Sequence, residues 1–540
     1  MTISALIFIL LLIFWFIVIV KRVLFWSYLW QLKEYHLKRF VDHFRTRQGK
    51  RIFLNVFFGL KILVLISLFF ESRLSIIAYY FTFLIYLAEF LKTGMEIVRK
   101  RLLKPVVTVK SLLVMILSLA CIVGLVAFIP LKINLGRALI IILILDVFSF
   151  IVISFFVMCF WPITKMFQKR LLSKAKKIIE GKRDLTIIAI TGSYGKTTTK
   201  EILYSILSEK FKTLKTKEHV NAEVGIAKTI INELDNQEIF IVEAGAYEKG
   251  KIRQVCEMIK PKMGILTGIN QQHLATFGSQ ENIIKAKFEL IQSLPPEGMG
   301  FVNIDNEFIR KKVGEDNFAV QRVIFIGNNK KELAHVWAEN VTAEKDRFLF
   351  TLKDKEGTAV DFAINMPGSH NVINALLAIV ASHHLGIDYP EIARILGRNQ
   401  FLQKAIEVKN GRNGLMIIDS SYSANPDGVM SALEYLSLWH NKRILVMPSL
   451  IELGAASKDI HFLIGQKIAQ ICDLAIIVKD DQFKAIQDGA VSAGMDVNRI
   501  MYISNLKEVY KKILEFGSSG DAILLEGRIP ESFKKLLLNE

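Results

Sequence analysis

The spacing of apolar residues changes once along this chain, near residue 160. Before that point, long and almost uninterrupted apolar runs alternate with short polar segments. An apolar helix of about 20 residues, at about 1.5 Å per residue, crosses a hydrocarbon core of about 30 Å. The pattern therefore predicts an N-terminal membrane domain, residues 1–165, with about five transmembrane helices at 3–20, 53–70, 74–91, 111–129 and 138–160.

Beyond the membrane domain, short apolar runs rich in β-branched residues alternate with segments of helical periodicity. The runs that predict strands are 185–190, 240–246, 263–269, 300–305, 415–419, 443–447, 474–478 and 522–525. Such alternation is typical of α/β domains with a mainly parallel sheet. A break near 397–408 separates two blocks, so we expect a basic linker at 166–183, a P-loop-type central domain at 184–400 and a smaller, Rossmann-like C-terminal domain at 401–540.

Basic residues indicate the orientation of the predicted helices. They are concentrated at 21–51, at 92–104 and after the fifth helix, whereas the turns 71–73 and 131–137 contain few. By the positive-inside rule, the N-terminus lies outside and the region after residue 160 is cytoplasmic. We therefore expect a multi-pass protein of the cytoplasmic membrane, with membrane lipid as one partner.

Two ionisable residues, Lys61 and Asp146, lie inside predicted helices. Burial of a charge in lipid is costly, so such residues are candidates for function in transport or lipid handling. Alternatively, Lys61 extends to the interface and Asp146 faces a neighbouring helix. The pattern leaves both interpretations open.

Residues 184–207, DLTIIAITGSYGKTTTKEILYSIL, predict a strand, a glycine turn and a helix. Backbone N–H groups of such a turn bind phosphate oxygens at the positive end of the helix. Lys196 then supplies a charge for the β- and γ-phosphates, and Thr197 supplies a hydroxyl for Mg²⁺. ATP and Mg²⁺ are the expected ligands, bound by Gly192, Ser193, Tyr194, Gly195, Lys196, Thr197 and Thr198.

This turn departs from the general phosphate-binding pattern, which requires glycine where the chain has Ile190. An ordinary glycine turn with a surface lysine remains the alternative. Farther along, Glu243 ends an apolar strand, where a carboxylate is costly unless it meets a cation such as Mg²⁺. His273 follows the next strand and is either a second metal ligand or a structural histidine.

Composition narrows the classes of function. With 540 residues, 52% of them hydrophobic, the chain is too long for one domain and too apolar for a purely soluble protein. Its net charge of +18 belongs mainly to residues beside the apolar spans, and no nucleic-acid-binding signature accompanies it. We therefore expect no nucleic-acid partner. The four cysteines lack metal-ligand spacing and suit a reducing compartment.

Seven motifs occur in an order that resembles the Mur ligase family. They are TGSYGKTTTK, VEAGAYEKGKI, HLATFGSQENIIKAKFEL, VNIDN, MPGSHNVINALLA, IDSSYSANPDG and IELGAASKDIH. The resemblance covers roughly residues 184–540 and is greatest to the MurF branch, which adds D-alanyl-D-alanine to UDP-N-acetylmuramoyl-tripeptide. It implies an ATP-dependent acid–amino-acid ligase of peptidoglycan precursor synthesis that acts through an acyl phosphate.

The resemblance also implies roles for individual residues. Lys196, Lys287 and His273 match catalytic positions, and Thr197, Glu243, His273 and Lys287 match the Mg²⁺ sites, with Lys287 carbamylated to hold a second ion. Asn371, Lys404 and Asp419 match nucleotide-contacting positions, with Lys404 replacing an arginine. Asn425 and Pro426 match the site of the incoming amine. For Glu452 and His461, helix capping is as good an interpretation as catalysis.

Departures from the family pattern concern the substrates. Ser420, Ser423, Pro448–Ser449 and Glu526-Gly527-Arg528 replace family residues, which puts the D-alanyl-D-alanine specificity in question. The membrane domain stands where the family has a UDP-binding domain, so the muramoyl-tripeptide acceptor is either UDP-linked or lipid-linked. Two alternatives stay open: a membrane-bound ligase of a polyglutamate-type polymer, and a scaffold or transporter regulated by ATP.

Overall fold

The computed structural model describes residues 3–44, 47–70, 75–127, 135–218, 220–246, 248–271, 274–315, 323–399, 406–421, 425–450, 453 and 456–538. The chain divides into two compact units, Met1–Lys169 and Arg170–Glu540.

The described part of the first unit is helical. Its helices are α1 (Ile3–Leu32), α2 (Leu37–His43), α3 (Arg47–Phe53), α4 (Val56–Phe70), α5 (Ser75–Val98), α6 (Val109–Ala127), α7 (Leu135–Val147), α8 (Ser149–Cys159) and the start of α9 (Trp161–Glu180). Tryptophans of α1, among them Trp15, Trp26 and Trp30, are buried between the helices. Large apolar side chains such as Leu63 and Ile77 are exposed, as expected of helices that face lipid.

Four helical segments are long and apolar enough to cross a membrane, namely Leu6–Leu32, Ile76–Val98, Val109–Ala127 and Ser149–Glu180. The span predicted at 53–70 is instead the 15-residue helix α4, about 22 Å long, which starts only after Asn55 accepts a hydrogen bond from the Phe57 amide. The span predicted at 138–160 is divided at Phe148 between α7 and α8. The basic segment 166–183, expected to be a linker, is helical as far as Glu180.

The second unit begins with a nine-stranded sheet of order β2-β3-β1-β4-β5-β6-β7-β8-β9. Its strands are β1 (Thr186–Thr191), β2 (Thr213–Lys215), β3 (Ile239–Glu243), β4 (Met263–Leu266), β5 (Met299–Asn303), β6 (Val323–Gly327), β7 (Val336–Ala343), β8 (Phe348–Asp354) and β9 (Ala359–Ile364). The helices of this region are α10 (Lys196–Leu207), α11 (Glu223–Glu233), α12 (Lys251–Ile259), α13 (Leu274–Phe277), α14 (Gln280–Gln292), α15 (Glu307–Glu315), α16 (Val372–His384) and α17 (Tyr389–Arg398). Pairing is parallel from β2 through β7 and antiparallel for β7, β8 and β9.

A six-stranded sheet of order β10-β11-β15-β12-β13-β14 forms the C-terminal part of the unit. Its strands are β10 (Glu407–Asn410), β11 (Met416–Ser420), β12 (Arg443–Met447), β13 (Leu474–Ile477), β14 (Ile500–Tyr502) and β15 (Ala522–Glu526). Its helices are α18 (Pro426–Leu436), α19 (Ser457–Ile471), α20 (Phe483–Ser492), α21 (Leu506–Phe516) and α22 (Glu531–Leu537). Only β10 pairs antiparallel.

The predicted α/β architecture with a mainly parallel sheet is confirmed. The eight predicted strands are present with shifts of a few residues, and the strand predicted at 240–246 ends at Glu243. The strands that were not predicted are β2, β6, β10 and β14, together with β7 to β9, which form one end of the nine-stranded sheet. In β7 to β9 the pattern differs from that of the predicted strands. Their buried and exposed residues alternate, as in a sheet with one face packed on the core, and they extend the parallel sheet by an antiparallel edge.

Candidate active site

The loop between β1 and α10 folds tightly enough to require glycine at two positions. Gly192 has φ 154° and Gly195 has φ 77°. A Cβ atom on Gly192 would lie 2.1 Å from Thr267 Oγ1, and one on Gly195 would lie 2.3 Å from Asn374 Oδ1. Ile190, which departs from the general phosphate-binding pattern, is buried within β1, and the loop begins after Thr191, where that strand ends. The predicted strand, turn and helix are therefore all present.

Lys196, the first residue of α10, turns its side chain back over the loop. Its Nζ donates to the carbonyl oxygen of Gly192 at 2.8 Å and to that of Ser193 at 3.4 Å. Burial lowers the pKa of this amine, while the nearby Glu243 carboxylate acts in the opposite direction. The ammonium group thus lies above backbone N–H groups at a helix N-terminus, an arrangement suited to phosphate oxygens.

Glu243 lies beside this loop because β3 pairs in parallel with β1, with Glu243 opposite Ile190. Its Oε2 atom accepts a hydrogen bond from Thr197 Oγ1 at 3.0 Å. The fully buried Lys200 places its Nζ 3.3 Å from the same atom. The cation that a buried carboxylate needs is therefore supplied by Lys200, a residue that sequence reasoning missed. Its spacing of four from Lys196 on the helix was the available signal.

The oxygens of Thr197 and Glu243 are the described groups that fit Mg²⁺, a hard cation that prefers oxygen ligands. In the described part of the chain, no three His, Cys, Asp or Glu side chains come together as a metal cage. Mg²⁺ usually keeps several waters and binds through one or two protein groups plus phosphate, so two protein ligands are compatible with it. His273, Lys404 and Glu452, also expected at functional positions, lie outside the described residues.

Lys287 is held in a buried position on α14, a helix whose N-terminus is capped by the Ser279 side chain. Only 4% of Lys287 is exposed. Burial, together with the positive charge of Lys196, lowers the pKa of its amine to about 7, and Glu289 acts in the opposite direction. A substantial fraction of the amine is therefore neutral and nucleophilic near neutral pH. Lys287 is therefore not a solvated lysine on a helix surface.

The structure brings Asn374, not Asn371, against the glycine loop. Asn374 Oδ1 accepts a hydrogen bond from Thr199 Oγ1 at 3.5 Å and packs beside Gly195. Asn371, in the turn before α16, accepts from Asn374 Nδ2 at 3.2 Å and donates to the Pro367 carbonyl at 3.1 Å. Asn371 therefore orients Asn374. Their spacing of three, from the N-cap of α16 to its first turn, was the signal that sequence reasoning overlooked.

Tyr194 closes the other side of the loop. Its ring packs against Gly268, where a Cβ atom would lie 2.3 Å from the ring carbon Cζ. Its hydroxyl accepts a hydrogen bond from Asn306 Nδ2 at 3.2 Å, and burial raises its pKa to about 12. Asn306, in the VNIDN motif, is a further residue that the predicted set omitted. Thr198, on the first turn of α10, is half-buried.

Residues predicted in the C-terminal domain lie at the carboxyl ends of its strands. Asp419 on β11 forms an ion pair with Lys534 at 2.8 Å and accepts a hydrogen bond from the Ser421 amide at 3.0 Å. Burial raises the pKa of Asp419, but the bonds from Lys534 and Ser421 outweigh it and lower the pKa overall. Asn425 caps α18 by accepting from the Gly428 amide at 3.0 Å, and Pro426 is the first residue of that helix.

His461 has a structural role. It is fully buried, its Nε2 accepts a hydrogen bond from the Leu450 amide at 2.9 Å, and its Nδ1 lies 2.6 Å from the Ser457 carbonyl oxygen. Burial lowers its pKa, so the neutral ring is favoured. Both ring nitrogens are engaged, which agrees with capping and packing.

Comparison with known proteins identifies two matching domains. Residues 190–382 match the Mur ligase middle domain, and residues 406–529 match the Mur ligase glutamate ligase domain. The UDP-N-acetylmuramoyl-tripeptide–D-alanyl-D-alanine ligase of Bacillus subtilis is 27% identical over 342 residues, which are 63% of this chain and 72% of that relative. The ligase of the same name from Borreliella burgdorferi is 30% identical over 327 residues, 59% of this chain and 67% of the relative.

Solved structures show the same fold. MurF from Acinetobacter baumannii matches with a TM-score of 0.61 at 24% identity, covering 69% of this chain and 81% of that one. MurF from Thermotoga maritima in complex with ADP matches with a TM-score of 0.59 at 22% identity, covering 68% of this chain and 84% of that one. The domain matches begin at residue 190, so they do not include the first unit.

Proposed function

Because this chain belongs to the Mur ligase family of ATP-dependent ligases, we propose that it joins D-alanyl-D-alanine to the terminal carboxylate of a muramoyl-tripeptide. The observation that carries this proposal is the meeting of Lys196, Thr197 and Glu243 at one edge of the central sheet. The substrates are those in the names of the relatives. The product is a precursor of peptidoglycan.

In this proposal the acceptor carboxylate takes the γ-phosphoryl group of ATP, and the amine then displaces phosphate from the resulting acyl phosphate. Phosphoryl transfer depends mainly on positioning and on positive charge around the transferring oxygens. Lys196 would leave the carbonyl groups of Gly192 and Ser193 to bind the phosphates. Thr197 and Glu243 would hold Mg²⁺, which neutralises phosphate charge when bound.

Lys287 fits the role of a carbamylated ligand for a second Mg²⁺. Carbamate formation requires a neutral amine to attack CO₂, and burial keeps the pKa of this amine near 7. The carbamate would turn a cation beside Lys196 into an anion, which removes the repulsion between the two lysines.

The acceptor is proposed to lie at the cytoplasmic face of the membrane. The chain has four helical segments long and apolar enough to cross a membrane, and α4 is a shorter apolar helix. With α4 as a fifth crossing, the basic segments between the helices support a cytoplasmic position for the ligase domains. A membrane anchor would place the enzyme beside lipid-linked muramoyl-tripeptide, while UDP-linked muramoyl-tripeptide remains the other acceptor to test.

The deciding experiment is a ligase assay on the full chain purified in detergent. It contains ATP, Mg²⁺ and D-alanyl-D-alanine with either UDP-linked or lipid-linked muramoyl-tripeptide, and it follows phosphate release together with product mass. We expect acceptor-dependent phosphate release and a product that carries the dipeptide. Lys196→Met should abolish both, whereas the matched variant of an exposed lysine, Lys249→Met, should retain them. ATP hydrolysis without an acceptor, or no turnover with either acceptor, would contradict the proposal.

A further inference from the structure

A cluster of charged side chains lies buried among the helices of the first unit. It consists of Arg22, Lys61, Glu89 and Asp146, with Tyr86 beside them. Lys61 and Asp146 are fully buried and form an ion pair, and Lys61 also pairs with Glu89. Arg22 Nε lies 2.5 Å from Asp146 Oδ1, and the Tyr86 hydroxyl donates to Asp146 Oδ2 at 2.9 Å. Two cations and two anions balance one another in this ion-pair cluster.

A cavity of about 240 Å³ lies against one side of the ion-pair cluster. Arg22 and Glu89 belong to both, and the cavity is also lined by Lys21 and Lys92. Three cations and one carboxylate therefore face it. Its remaining lining is largely aromatic, from side chains such as Phe25 and Phe57. Such a lining suits an anionic group attached to an apolar body.

Of the three cations that line this cavity, Lys92 is the one without an ion-pair partner among the described residues. Lys21 is paired with Glu96 at 2.7 Å, and Arg22 is paired within the ion-pair cluster. Lys92 is exposed, lies 5.4 Å above the Phe57 ring and has no carboxylate within 4 Å in the described part of the chain. An anion would therefore gain the attraction of Lys92 without having to break an existing ion pair there.

The cavity lies at one end of the helices. Its lining comes from the second half of α1, from residues 52–58 where α3 ends and α4 begins, and from the second half of α5. The two segments that follow α1 and α5, residues 33–55 and 99–108, carry many basic residues. The positive-inside rule places this end at the cytoplasmic leaflet, where lipid headgroups lie.

The size of the cavity restricts what can enter it. Sites that enclose a whole drug-sized ligand usually measure about 300–1,000 Å³. A cavity of about 240 Å³ holds a small polar group but not a nucleotide sugar. The rest of the ligand must therefore lie outside, and for a lipid that region is the apolar surface between the helices.

We propose that this cavity binds the phosphate or diphosphate headgroup of a membrane lipid. Lys92 provides the positive charge, Lys21 and Arg22 add positive potential, and Asn55, whose amide oxygen accepts from the Phe57 backbone, carries an NH₂ donor at the cavity. The ion pair with Asp146 holds Arg22 in place. Binding itself is independent of the ligase reaction, whereas a role of this lipid as the acceptor rests on the proposed function.

The test measures binding to the full chain in phosphatidylcholine nanodiscs by native mass spectrometry, without ATP. Three probes separate the sources of the anion: a polyprenyl diphosphate, the corresponding polyprenyl alcohol, and inorganic diphosphate. Three variants test the site: Lys92→Gln, Lys92→Arg and, as a matched control, Lys104→Gln, which removes an exposed charge that does not line the cavity. Thermal unfolding checks that each variant is folded.

We expect the polyprenyl diphosphate to bind and the alcohol to bind at least about fivefold less tightly, the effect of one lysine near a membrane surface. Lys92→Gln should weaken binding of the diphosphate by a similar factor, while Lys92→Arg and Lys104→Gln leave it unchanged. Equal binding of the alcohol, equal loss in Lys92→Gln and Lys104→Gln, or binding of inorganic diphosphate alone would overturn the proposal.

The ligase assay on UDP-linked muramoyl-tripeptide separates this proposal from the previous one. Lys92→Gln should leave that reaction unchanged, because Lys92 belongs to the first unit whereas the glycine loop belongs to the second. Ligase activity without lipid binding would overturn only the headgroup site. Lipid binding without ligase activity would overturn only the proposed function.

Discussion

At the scale of single residues, Lys287 lowers the stability of the folded protein at neutral pH and has a proposed role in catalysis. Its pKa is lowered from 10.5 to about 7 in the folded protein, mainly by burial. Between these values the unfolded chain binds more protons, so the contribution of Lys287 to stability improves as pH rises from about 7 towards 10.5. At neutral pH and below, the residue destabilises the fold.

Lys287→Met is therefore expected to raise the melting temperature at pH 6 to 7 while it lowers the ligase rate. Loss of a group at a metal site commonly costs about 10- to 100-fold in activity. Initial rates and thermal unfolding of the same preparations test both effects. Lys285→Met is the matched control, since Lys285 is on the same helix but half exposed and paired with Glu281. A melting temperature and rate that both fall would indicate a merely structural role.

Carbamylation of Lys287 gives a second, independent expectation. Only the neutral amine attacks CO₂, so the fraction carbamylated should rise with pH through about 7. Adding bicarbonate should then raise the ligase rate more at pH 8 than at pH 6. Bicarbonate titrations at the two pH values measure this difference, and an equal response at both would contradict the carbamate.

Glu526 is a buried carboxyl at the end of β15, opposite Ser420 in register. Its oxygens make no hydrogen bond of normal geometry with the described residues, although the Ser420 hydroxyl and the Gly527 amide are nearby. Burial raises its pKa from 4.5 to about 8. The unfolded chain releases this proton first, so stability is lost progressively as pH rises from about 4.5 to about 8.

Glu526→Gln should therefore stabilise the protein at pH 8, by about 1–3 kcal/mol, the usual cost of a buried group without partners. At pH 5 the variant and the parent should differ little. Chemical unfolding at the two pH values measures the change in the free energy of unfolding. Glu332→Gln, at an exposed position, serves as the control and should show no such pH dependence.

At the scale of elements, the turn from β1 to α10 depends on close packing as well as on backbone conformation. Gly195 and Gly250 each have φ near 80°, and each immediately precedes a helix. A Cβ atom on Gly195 would overlap Asn374, whereas one on Gly250 would meet nothing within 4 Å. An alanine at either position would strain the backbone, but only an alanine at Gly195 would also clash with a neighbouring side chain. Comparing the two variants therefore distinguishes the two effects.

Gly195→Ala should weaken ATP binding by at least about tenfold and destabilise the protein more than Gly250→Ala does. Both variants bear the backbone strain of about 1 kcal/mol, but only Gly195→Ala displaces Asn374 and the loop. Equilibrium ATP binding and thermal unfolding of the two variants provide the measurement. Equal effects of the two substitutions would show that the contact with Asn374 has no influence.

At the scale of the whole molecule, the two ligase domains are joined by specific contacts. Asn270, after β4, donates to Asp427 at the start of α18 with a distance of 2.6 Å. The Tyr435 hydroxyl donates to the Lys345 carbonyl at 2.7 Å, and the Lys345 ammonium lies 5.2 Å from the Trp439 ring centroid. These contacts hold the C-terminal strand ends toward the glycine loop, and closure of domains commonly controls such reactions.

Asp427→Ala should lower kcat/KM by about tenfold or more, because a hydrogen bond to a charged group contributes about 1.5–3 kcal/mol to the closed arrangement. Hydrogen exchange at the start of α18 should become faster. Asp459→Ala controls for the loss of an acidic residue in the first turn of a helix. If both variants behaved alike, the effect would come from the helix terminus and not from the link between domains.

The local pattern of apolar and polar residues determined much of the secondary structure and part of the candidate site. Apolar runs, the change to α/β alternation, the glycine turn and the position of Glu243 at a strand end were all predictable, because each depends on residues close together in the chain. The seven motifs added the Mur ligase family and its proposed chemistry. Strands β7 to β9 escaped prediction because polar residues interrupt their apolar residues, whereas the predicted strands are continuous apolar runs.

Only the tertiary structure decided which side chains meet. Lys200 reaches Glu243 across 43 residues of sequence, Asn374 reaches Thr199 across 175, and Lys61 reaches Asp146 across 85. The low pKa of Lys287 likewise arises from its burial and from Lys196. The physical reason is that periodicity encodes which face of an element is buried, whereas charge pairing, desolvation and cavities depend on neighbours that the fold brings from distant parts of the chain.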